Sequence, residues 1–263
     1  VQELFVERTA KRGLVSNIYK GKVVRVLPGM QAAFVEIGLS RTAFLHVNDI
    51  IWPKKPEVQG EQPLINELLH EGQMITVQVM KDMLGSKGAR LTTDLSIPSR
   101  YLVYMPFGEH VGISQRIESE AERDRLKTMT KLIRDEHSDS LKGGVIVRTA
   151  AEGISEEELR QDMSYLIKLW QHISNKKIQI QTPTLIYEEL PLYQRIIRDL
   201  VIQDVAKIYI DSRETLGKII EFVREFVPNA EEKLEHYPGE KPLFELYNVE
   251  DDLQKALSRK VLL

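Results

Sequence analysis

Turn residues divide the first third of the chain into short runs of β-forming residues. The runs cover residues 18–27, 31–37, 43–47, 73–80 and 89–93, with a short helical segment at 64–70. A polar stretch, WPKKPEVQGEQP, precedes that helix and has the composition of an exposed loop. Because five short strands with one small helix late in the order are typical of a small barrel, the pattern predicts an OB-fold.

The rest of the chain has a mixed α/β pattern, so the expected fold class is α+β with more than one domain. Two helices are predicted to begin at capping boxes, Ser119 with Glu122 and Ser155 with Glu158, the first helix ending near His137. The other predicted elements are strands at 101–105, 144–148 and 205–210, helices at 190–203, 213–226 and 248–259, and a strand that starts at 261. A length of 263 residues also favours about two modules.

Positive charge is concentrated near the start of a chain whose formal net charge is −3. The stretch from Arg8 to Val35 has no acidic residue, and its cations are Arg8, Lys11, Arg12, Lys20, Lys22 and Arg25. On an OB barrel, basic residues along one face bind a phosphate backbone and exposed aromatic rings stack on bases. Phe34 and Phe44 lie on neighbouring predicted strands and are candidates for stacking, with the barrel core as the alternative location.

Two further basic features are candidates for contacts with phosphate. Lys81, Lys87 and Arg90 flank the predicted turn Gly85–Gly88, although such a turn is also common on any solvated surface. Arg148 ends a predicted buried strand and is followed by Thr149. A guanidinium binds phosphate through two parallel hydrogen bonds, and a neighbouring hydroxyl can add a third. The alternative is an arginine at a strand end that pairs with a nearby glutamate.

Several classes of protein are disfavoured by composition. No apolar run approaches the roughly 18 residues that a transmembrane helix needs, and the start, VQELFVERTAKRG, lacks the features of a signal peptide. The absence of cysteine excludes disulfides and thiolate metal sites within these residues and fits a cytoplasmic location. The histidines lack metal-ligand spacing, and the run Glu250–Asp252 opens a predicted helix, where capping is its expected role.

Long stretches of the sequence resemble the N-terminal half of the bacterial RNase E/RNase G endoribonucleases. They are NIYKGKVVRVLPGMQAAFVEIG, GSKGARLTTDLSIPSRYLVYMP, GISQRIESE, VIVRTAAEG and KLEHYPGEKPLFELYNVEDDLQKALSRKV. Around LTTDLSIPSRYLVYMP and RIESEAER the sequence is more similar to RNase G than to RNase E. The resemblance implies an OB-fold domain and an α/β 5′-sensor domain inserted in a partial RNase H-like domain. The implied boundaries are 12–98 for the OB-fold, 99–189 for the sensor, and 1–11 with 190–263 for the RNase H-like part.

The resemblance also implies roles for individual residues. Arg148 and Thr149 match a 5′-phosphate-binding pair, and Val103 matches a residue that contributes through its main chain. The residues that match RNA-contacting positions, or lie in the basic stretch of the barrel, are Phe34, Phe44, Lys81, Lys87, Arg116, Lys20 and Lys22. Ser99 stands where RNase E has glycine, and Gln115 stands where RNase E has arginine.

Members of this family cleave single-stranded, often A/U-rich RNA and favour a 5′-monophosphate end, in ribosomal RNA 5′-end maturation and messenger RNA decay. The resemblance places the catalytic aspartates that hold Mg²⁺, and the cysteines that join protomers through Zn²⁺, beyond Leu263. We therefore expect this chain to bind RNA without cleaving it and to hold no metal, with a homodimer or higher oligomer, and no membrane or DNA partner, for the full protein. The alternatives are a non-catalytic OB-fold protein that binds RNA or the ribosome, and a barrel used only for protein contacts.

Overall fold

The computed structural model describes residues 2–8, 12–51, 63–85, 87–200 and 205–257. The chain divides into two compact units, one formed by Val1–Arg12 with Leu190–Leu263 and the other by Gly13–Glu189. The finer domain boundaries expected from the sequence remain predictions. Among the described residues, none of the helices combines the length and the apolar character that crossing a bilayer requires.

The first part of the larger unit is a closed five-stranded barrel, as the sequence predicts. Its elements are β1 (Ile18–Leu27), β2 (Ala32–Glu36), β3 (Ala43–His46), α1 (Ile65–Leu68), β4 (Met74–Lys81) and β5 (Arg90–Thr92). The strands follow the order β1-β2-β3-β5-β4, and β4 pairs back onto β1 to close the barrel. Aliphatic side chains that alternate along the strands, such as Val23, Val35 and Leu45, are buried inside it.

The second part of this unit is a four-stranded sheet covered by two helices. Its elements are β6 (Ile97–Pro98), β7 (Leu102–Met105), β8 (Val111–Ile113), α2 (Glu120–Glu136), β9 (Gly144–Val147) and α3 (Glu156–Gln179). The strand order is β6-β7-β9-β8, with β8 and β9 parallel. Leu159, Met163 and Leu166 of α3 are buried against this sheet, and Trp170 packs on Tyr104 with ring centroids 5.5 Å apart.

The two predicted capping boxes have different outcomes. The box at Ser155 is complete, because its hydroxyl accepts from Glu158 N–H and the Glu158 carboxylate accepts from Ser155 N–H. At Ser119 only the hydroxyl half forms. The carboxylate of Glu122 instead accepts from the Arg125 guanidinium and from the main-chain N–H of Gly153. The prediction of a full box at Ser119 was wrong because these partners compete for the carboxylate.

A further strand that the sequence pattern did not predict, β10 (Thr184–Tyr187), pairs antiparallel with the first half of β1. It is four residues long and lies outside the predicted barrel segment, so strand periodicity gives it little signal. Lys20 lies between Thr184 of β10 and Thr76 of β4 in the resulting register.

In its described residues the smaller unit has four α-helices and a parallel pair of strands. They are α4 (Leu192–Leu200), β11 (Ile208–Ile210), α5 (Arg213–Phe226), β12 (Leu234–His236), α6 (Leu243–Leu246) and α7 (Val249–Ala256). The predicted helix at 213–226 is confirmed at both ends, and the run Glu250–Asp252 occupies the first turn of α7, as expected. The end of the predicted helix 190–203 and the strand predicted from 261 lie outside the described residues. The RNase H-like assignment of this unit remains a prediction.

Candidate nucleic-acid interface

A row of aromatic and basic residues crosses the outer face of the barrel, one residue on each strand. In the strand register, Arg25 of β1 lies opposite Phe34 of β2, Phe34 opposite Phe44 of β3, Phe44 opposite Arg90 of β5, and Arg90 opposite Lys81 of β4. Side chains directly opposite one another project from the same face of a sheet. We call these five residues the cross-barrel row.

The two phenylalanines of the row lie on the outer face of the barrel. Their ring centroids are 6.2 Å apart at an interplanar angle of 67°, an edge-to-face arrangement that leaves each ring half-buried. The alternative that they belong to the barrel core is therefore wrong. The ring of His46 lies beside Phe44, with centroids 6.4 Å apart and planes inclined by 34°. The face thus has aromatic surface of the kind on which bases stack.

A β-bulge places the cations of β1 on the same face as the row. Val23 pairs with Val35, and the next paired residue is Arg25, opposite Phe34, so Val24 is an extra residue in the strand. Without this insertion, a spacing of three residues would put Lys22 and Arg25 on opposite faces. Lys20, Lys22 and Arg25 therefore form one line along the outer face, which we call the basic line; Arg25 was not among the residues chosen from the sequence.

The basic residues near the end of the barrel, Lys81, Lys87 and Arg90, differ in whether they are paired with a carboxylate. Arg90 donates to Asp49 through Nε at 2.9 Å and through Nη2 at 3.2 Å, so its charge is balanced and its position fixed. Lys81 is exposed and forms no ion pair within the described residues. Lys87 is also exposed but lies in the turn beyond the strands, where its main-chain N–H donates to Leu84 O at 3.0 Å. Lys81 therefore belongs to the cross-barrel row and Lys87 does not.

Gly88 determines how closely β5 approaches β3. A Cβ atom at this position would lie 2.0 Å from the carbonyl oxygen of Thr42, well inside any tolerated contact. The neighbouring main-chain bond, from Phe44 N–H to Ala89 O at 2.8 Å, joins the two segments at that point. Only glycine therefore allows the pairing that sets Phe44 beside Arg90.

A second cluster forms where β9 ends. The main-chain N–H of Arg148 donates to Tyr101 O at 2.8 Å, and its guanidinium Nη1 donates to Ser99 O at 2.5 Å. Thr149 is exposed, and its hydroxyl oxygen is 2.9 Å from that of Ser114. We call Arg148, Thr149 and Ser114 the phosphate site, because the sequence predicts that Arg148 and Thr149 bind phosphate and the Ser114 hydroxyl lies beside that of Thr149.

Asp162, a buried carboxylate on α3, holds the loop that borders the phosphate site. It accepts from the Ser99 hydroxyl at 2.6 Å, from Arg100 N–H at 3.1 Å and from Tyr101 N–H at 2.9 Å. Burial raises the pKa of Asp162, while these hydrogen bonds act in the opposite direction. Ser99 thus presents its carbonyl oxygen to Arg148 and its buried hydroxyl to Asp162. No pattern in the sequence around Arg148 indicates that Asp162 has this role.

The turn that carries Thr149 is held from its other side by α2. The Glu122 carboxylate accepts from Gly153 N–H at 2.9 Å, and the Arg125 guanidinium donates to Ile154 O at 3.0 Å. Hydrogen bonds from Arg125, then from Gly153, lower the pKa of Glu122 to about 2. The phosphate site is therefore fixed by contacts from both helices of the module.

The other residues predicted to bind the 5′-phosphate or RNA lie outside the cross-barrel row and the phosphate site. Val103 lies in β7, where it pairs with Pro98 of β6 on one side and with Ile146 of β9 on the other. Arg148 directly follows β9. Arg116 and Gln115 are exposed, and Arg116 N–H lies 3.4 Å from the Ser114 hydroxyl. Ser114 was missed as a site residue, although it belongs to the GISQRIE stretch. Within the described ranges there is no group of three or more histidine, aspartate or glutamate side chains that could hold a metal ion.

Comparison with known proteins agrees with this geometry. Residues 15–91 match the S1 RNA binding domain and residues 96–263 match the ribonuclease E/G family. The chain is 51% identical to ribonuclease G of Salmonella typhimurium over 99% of its length, and 50% identical to ribonuclease G of Haemophilus influenzae over 99%. Ribonuclease E of Haemophilus influenzae is 38% identical over 99% of the chain, which covers 28% of that protein. The chain spans 53% of the length of the two ribonuclease G relatives. The chain thus belongs to the ribonuclease E/G family.

Proposed function

We propose that this chain binds the substrate of a ribonuclease G-type endoribonuclease. In this proposal the cross-barrel row and the basic line hold single-stranded RNA, and the phosphate site binds a 5′-terminal monophosphate. The full protein would act in ribosomal RNA 5′-end maturation and messenger RNA decay, as a homodimer or a higher oligomer. A cytoplasmic location is part of the proposal and rests on the cysteine-free sequence.

The observation that carries the proposal is the cross-barrel row. It combines two aromatic rings with three cations on one face, on the strands of a barrel that matches an S1 RNA binding domain. Stacking is tolerant of sequence, since every base has an aromatic face, and cations beside the rings suit a phosphate backbone. Duplex recognition has no need of exposed rings, so the surface favours single strands.

The phosphate site supports the second half of the proposal. Main-chain bonds and Asp162 fix the position of Arg148, so little conformational entropy would be lost when a phosphate binds. A 5′-hydroxyl end offers no charge for the guanidinium, so the site would discriminate by the terminal phosphate.

Hydrolysis is assigned to residues outside this chain. Mg²⁺ ions held by aspartates would supply the activated water in the full protein. We propose that the chain itself binds RNA without cleaving it. Its described residues contain no group of three or more histidine, aspartate or glutamate side chains that could hold a metal ion. The proposed Zn²⁺ link between protomers likewise concerns cysteines, which this sequence lacks.

The test is the affinity for a single-stranded RNA of about twelve nucleotides carrying either a 5′-monophosphate or a 5′-hydroxyl. We expect the monophosphate to bind more tightly and Arg148→Ala to remove that preference. Arg148→Lys, which keeps the charge and loses the planar fork, should retain only part of it. Lys142→Ala, an exposed cation of the same module, is the control and should leave it intact. Equal affinity for both RNAs in the unmodified chain would contradict the 5′-phosphate assignment, and an absence of binding at low salt would contradict the whole proposal.

A further inference from the structure

A groove in the larger unit lies between the barrel and the four-stranded sheet, apart from both surfaces described above. Its volume is about 900 Å³, within the roughly 300–1,000 Å³ range of sites that hold small molecules. Its walls include Lys20 and Thr76 from the barrel, Phe107 and His110 from the turn after β7, and Lys177 from α3. One acidic residue, Glu109, also lines it.

The groove brings the amines of Lys20 and Lys177 together, and Glu109, the one carboxylate among its lining residues, forms an ion pair with neither in the described structure. In the part of the chain that the structure describes, neither side-chain amine forms an ion pair or a hydrogen bond. Burial, and then the nearby charge of Lys20, lower the pKa of the Lys177 amine. The hydroxyl of Thr76, directly opposite Lys20 in the β1–β4 register, is buried and also has no partner among the described residues. An anion in the groove would relieve the repulsion between the amines.

The groove also has an aromatic platform. The side chain of Phe107 is 47% exposed although the residue is large and apolar, and it lies on the same groove as the two amines. A cation pair beside an exposed ring provides one partner for a phosphate and another for a base. The combination of two amines with an exposed ring therefore favours a nucleotide over a simple inorganic anion as the ligand of the groove.

The position of the groove identifies which nucleotide it would take. Lys20, on its wall, is the first residue of the basic line, which leads along β1 to Arg25 in the cross-barrel row. His110, on the opposite wall, immediately precedes β8, and Ser114 of the phosphate site immediately follows that strand. The groove thus lies between the two surfaces along the elements that connect them.

We infer that the groove is a third RNA subsite, which holds a nucleotide of the strand between its 5′ end at the phosphate site and the bases on the cross-barrel row. This inference rests on the proposed function. A bound strand would place a phosphate between Lys20 and Lys177 and a base against Phe107.

The test compares groove variants with a matched control on the same helix. Lys177→Gln should weaken binding of a 5′-monophosphorylated single strand of about twelve nucleotides and should reduce the slope of log affinity against log salt by about 0.7, as the loss of one phosphate contact requires. Phe107→Ala should lower the affinity by about 5-fold or more, as expected for one lost stacking partner. Lys168→Gln removes the same charge from an exposed position on α3 and should leave both affinity and slope unchanged.

Photo-crosslinking gives a readout of position that affinity does not. RNA with 4-thiouridine at successive internal positions should cross-link to the segment 101–116, which contains Phe107, at one or two positions only. Unchanged affinity and salt slope in both groove variants, with no cross-link to this segment, would overturn the subsite and leave the proposed function standing. If the unmodified chain binds no RNA, the proposed function fails first, and the subsite fails with it.

Discussion

The cross-barrel row and the phosphate site, both of which we propose to bind RNA, are constructed in different ways. The row consists of side chains on adjacent strands, each oriented by its own strand, with a register shift in the strand just before Arg25 and just before Lys81. The phosphate site depends on residues far apart in sequence, since Arg148 donates to Ser99, 49 positions away, and Asp162 holds Ser99 from 63 positions away. Substitutions in the row should therefore act one residue at a time, whereas substitutions under the phosphate site should disturb several contacts together.

The largest effect is expected from Asp162→Ala. The substitution leaves the N–H groups of Arg100 and Tyr101 without their acceptor and leaves the Ser99 hydroxyl with Leu102 O alone, at a cost of roughly 2–4 kcal/mol of unfolding free energy. Since this loop positions Arg148, the preference for a 5′-monophosphate should be lost as well. Denaturant unfolding and the affinity ratio of the two RNAs measure these effects.

Ser99→Ala serves as the control for Asp162, because it removes one of the three donors and leaves the main-chain bonds. It should cost much less stability and keep most of the 5′ preference. If Asp162→Ala keeps the preference at full strength, the phosphate site does not depend on this carboxylate, and the contrast with the row fails.

The next effect concerns Phe34→Ala and Phe44→Ala. Each should lower the affinity for single-stranded RNA by about 5- to 100-fold, corresponding to about 1–3 kcal/mol per stacked base. The loss should be equal for RNA with a 5′-monophosphate and with a 5′-hydroxyl, because the row does not contact the 5′ end. Met30→Ala, which removes an exposed apolar side chain elsewhere on the barrel, should leave the affinity unchanged. If the row binds no bases, the Phe34→Ala, Phe44→Ala and Met30→Ala variants will all have the same affinity for single-stranded RNA.

These two regions also differ in what the sequence could predict. Strand alternation located the barrel and put the two phenylalanines on neighbouring strands, but it left open whether they face outwards or into the core. It did not place Arg25 on the outer face, because a bulge at Val24 shifts the alternation by one residue. It missed Asp162 and Ser114 because their roles arise from long-range packing, which a single sequence does not show. Arg148 and Thr149 were found from a strand-end pattern and a family resemblance, and their proposed binding of phosphate remains a prediction.

A smaller effect distinguishes Lys81, a cation of the row without an ion pair in the described structure, from Arg90, which is paired with Asp49. Lys81→Gln should reduce the slope of log affinity against log salt by about 0.7 while leaving stability unchanged, because it forms no ion pair in the described structure. Arg90→Gln breaks the bidentate pair with Asp49, whose side chain is only 11% exposed, and should cost about 1 kcal/mol of stability. Salt titrations and thermal unfolding measured in parallel separate the two. Equal salt slopes for Lys81→Gln and the unmodified chain would exclude Lys81 from phosphate contact.

The smallest effect is a pH dependence at the support of the phosphate site. The folded pKa of Glu122, about 2, lies below its ordinary value of 4.5, so its carboxylate stabilises the fold fully above about pH 4.5. That stabilisation decreases as the pH falls from about 4.5 towards 2. Glu122→Gln should therefore be less stable than the unmodified chain at pH 7, and the difference should shrink in acid. A stability difference that stays constant from pH 7 down to pH 3 would show that the bonds to Arg125 and Gly153 do not depend on the charge.

The most direct test of the two-surface account is a double-mutant cycle with Phe34→Ala and Arg148→Ala, in which affinities for RNA with a 5′-monophosphate and with a 5′-hydroxyl are measured for all four proteins. The account predicts that Phe34→Ala weakens both RNAs by the same factor, that Arg148→Ala weakens only the monophosphate, and that the two effects multiply in the double variant. A loss of the 5′ preference in Phe34→Ala, or an equal loss for both RNAs in Arg148→Ala, would contradict it.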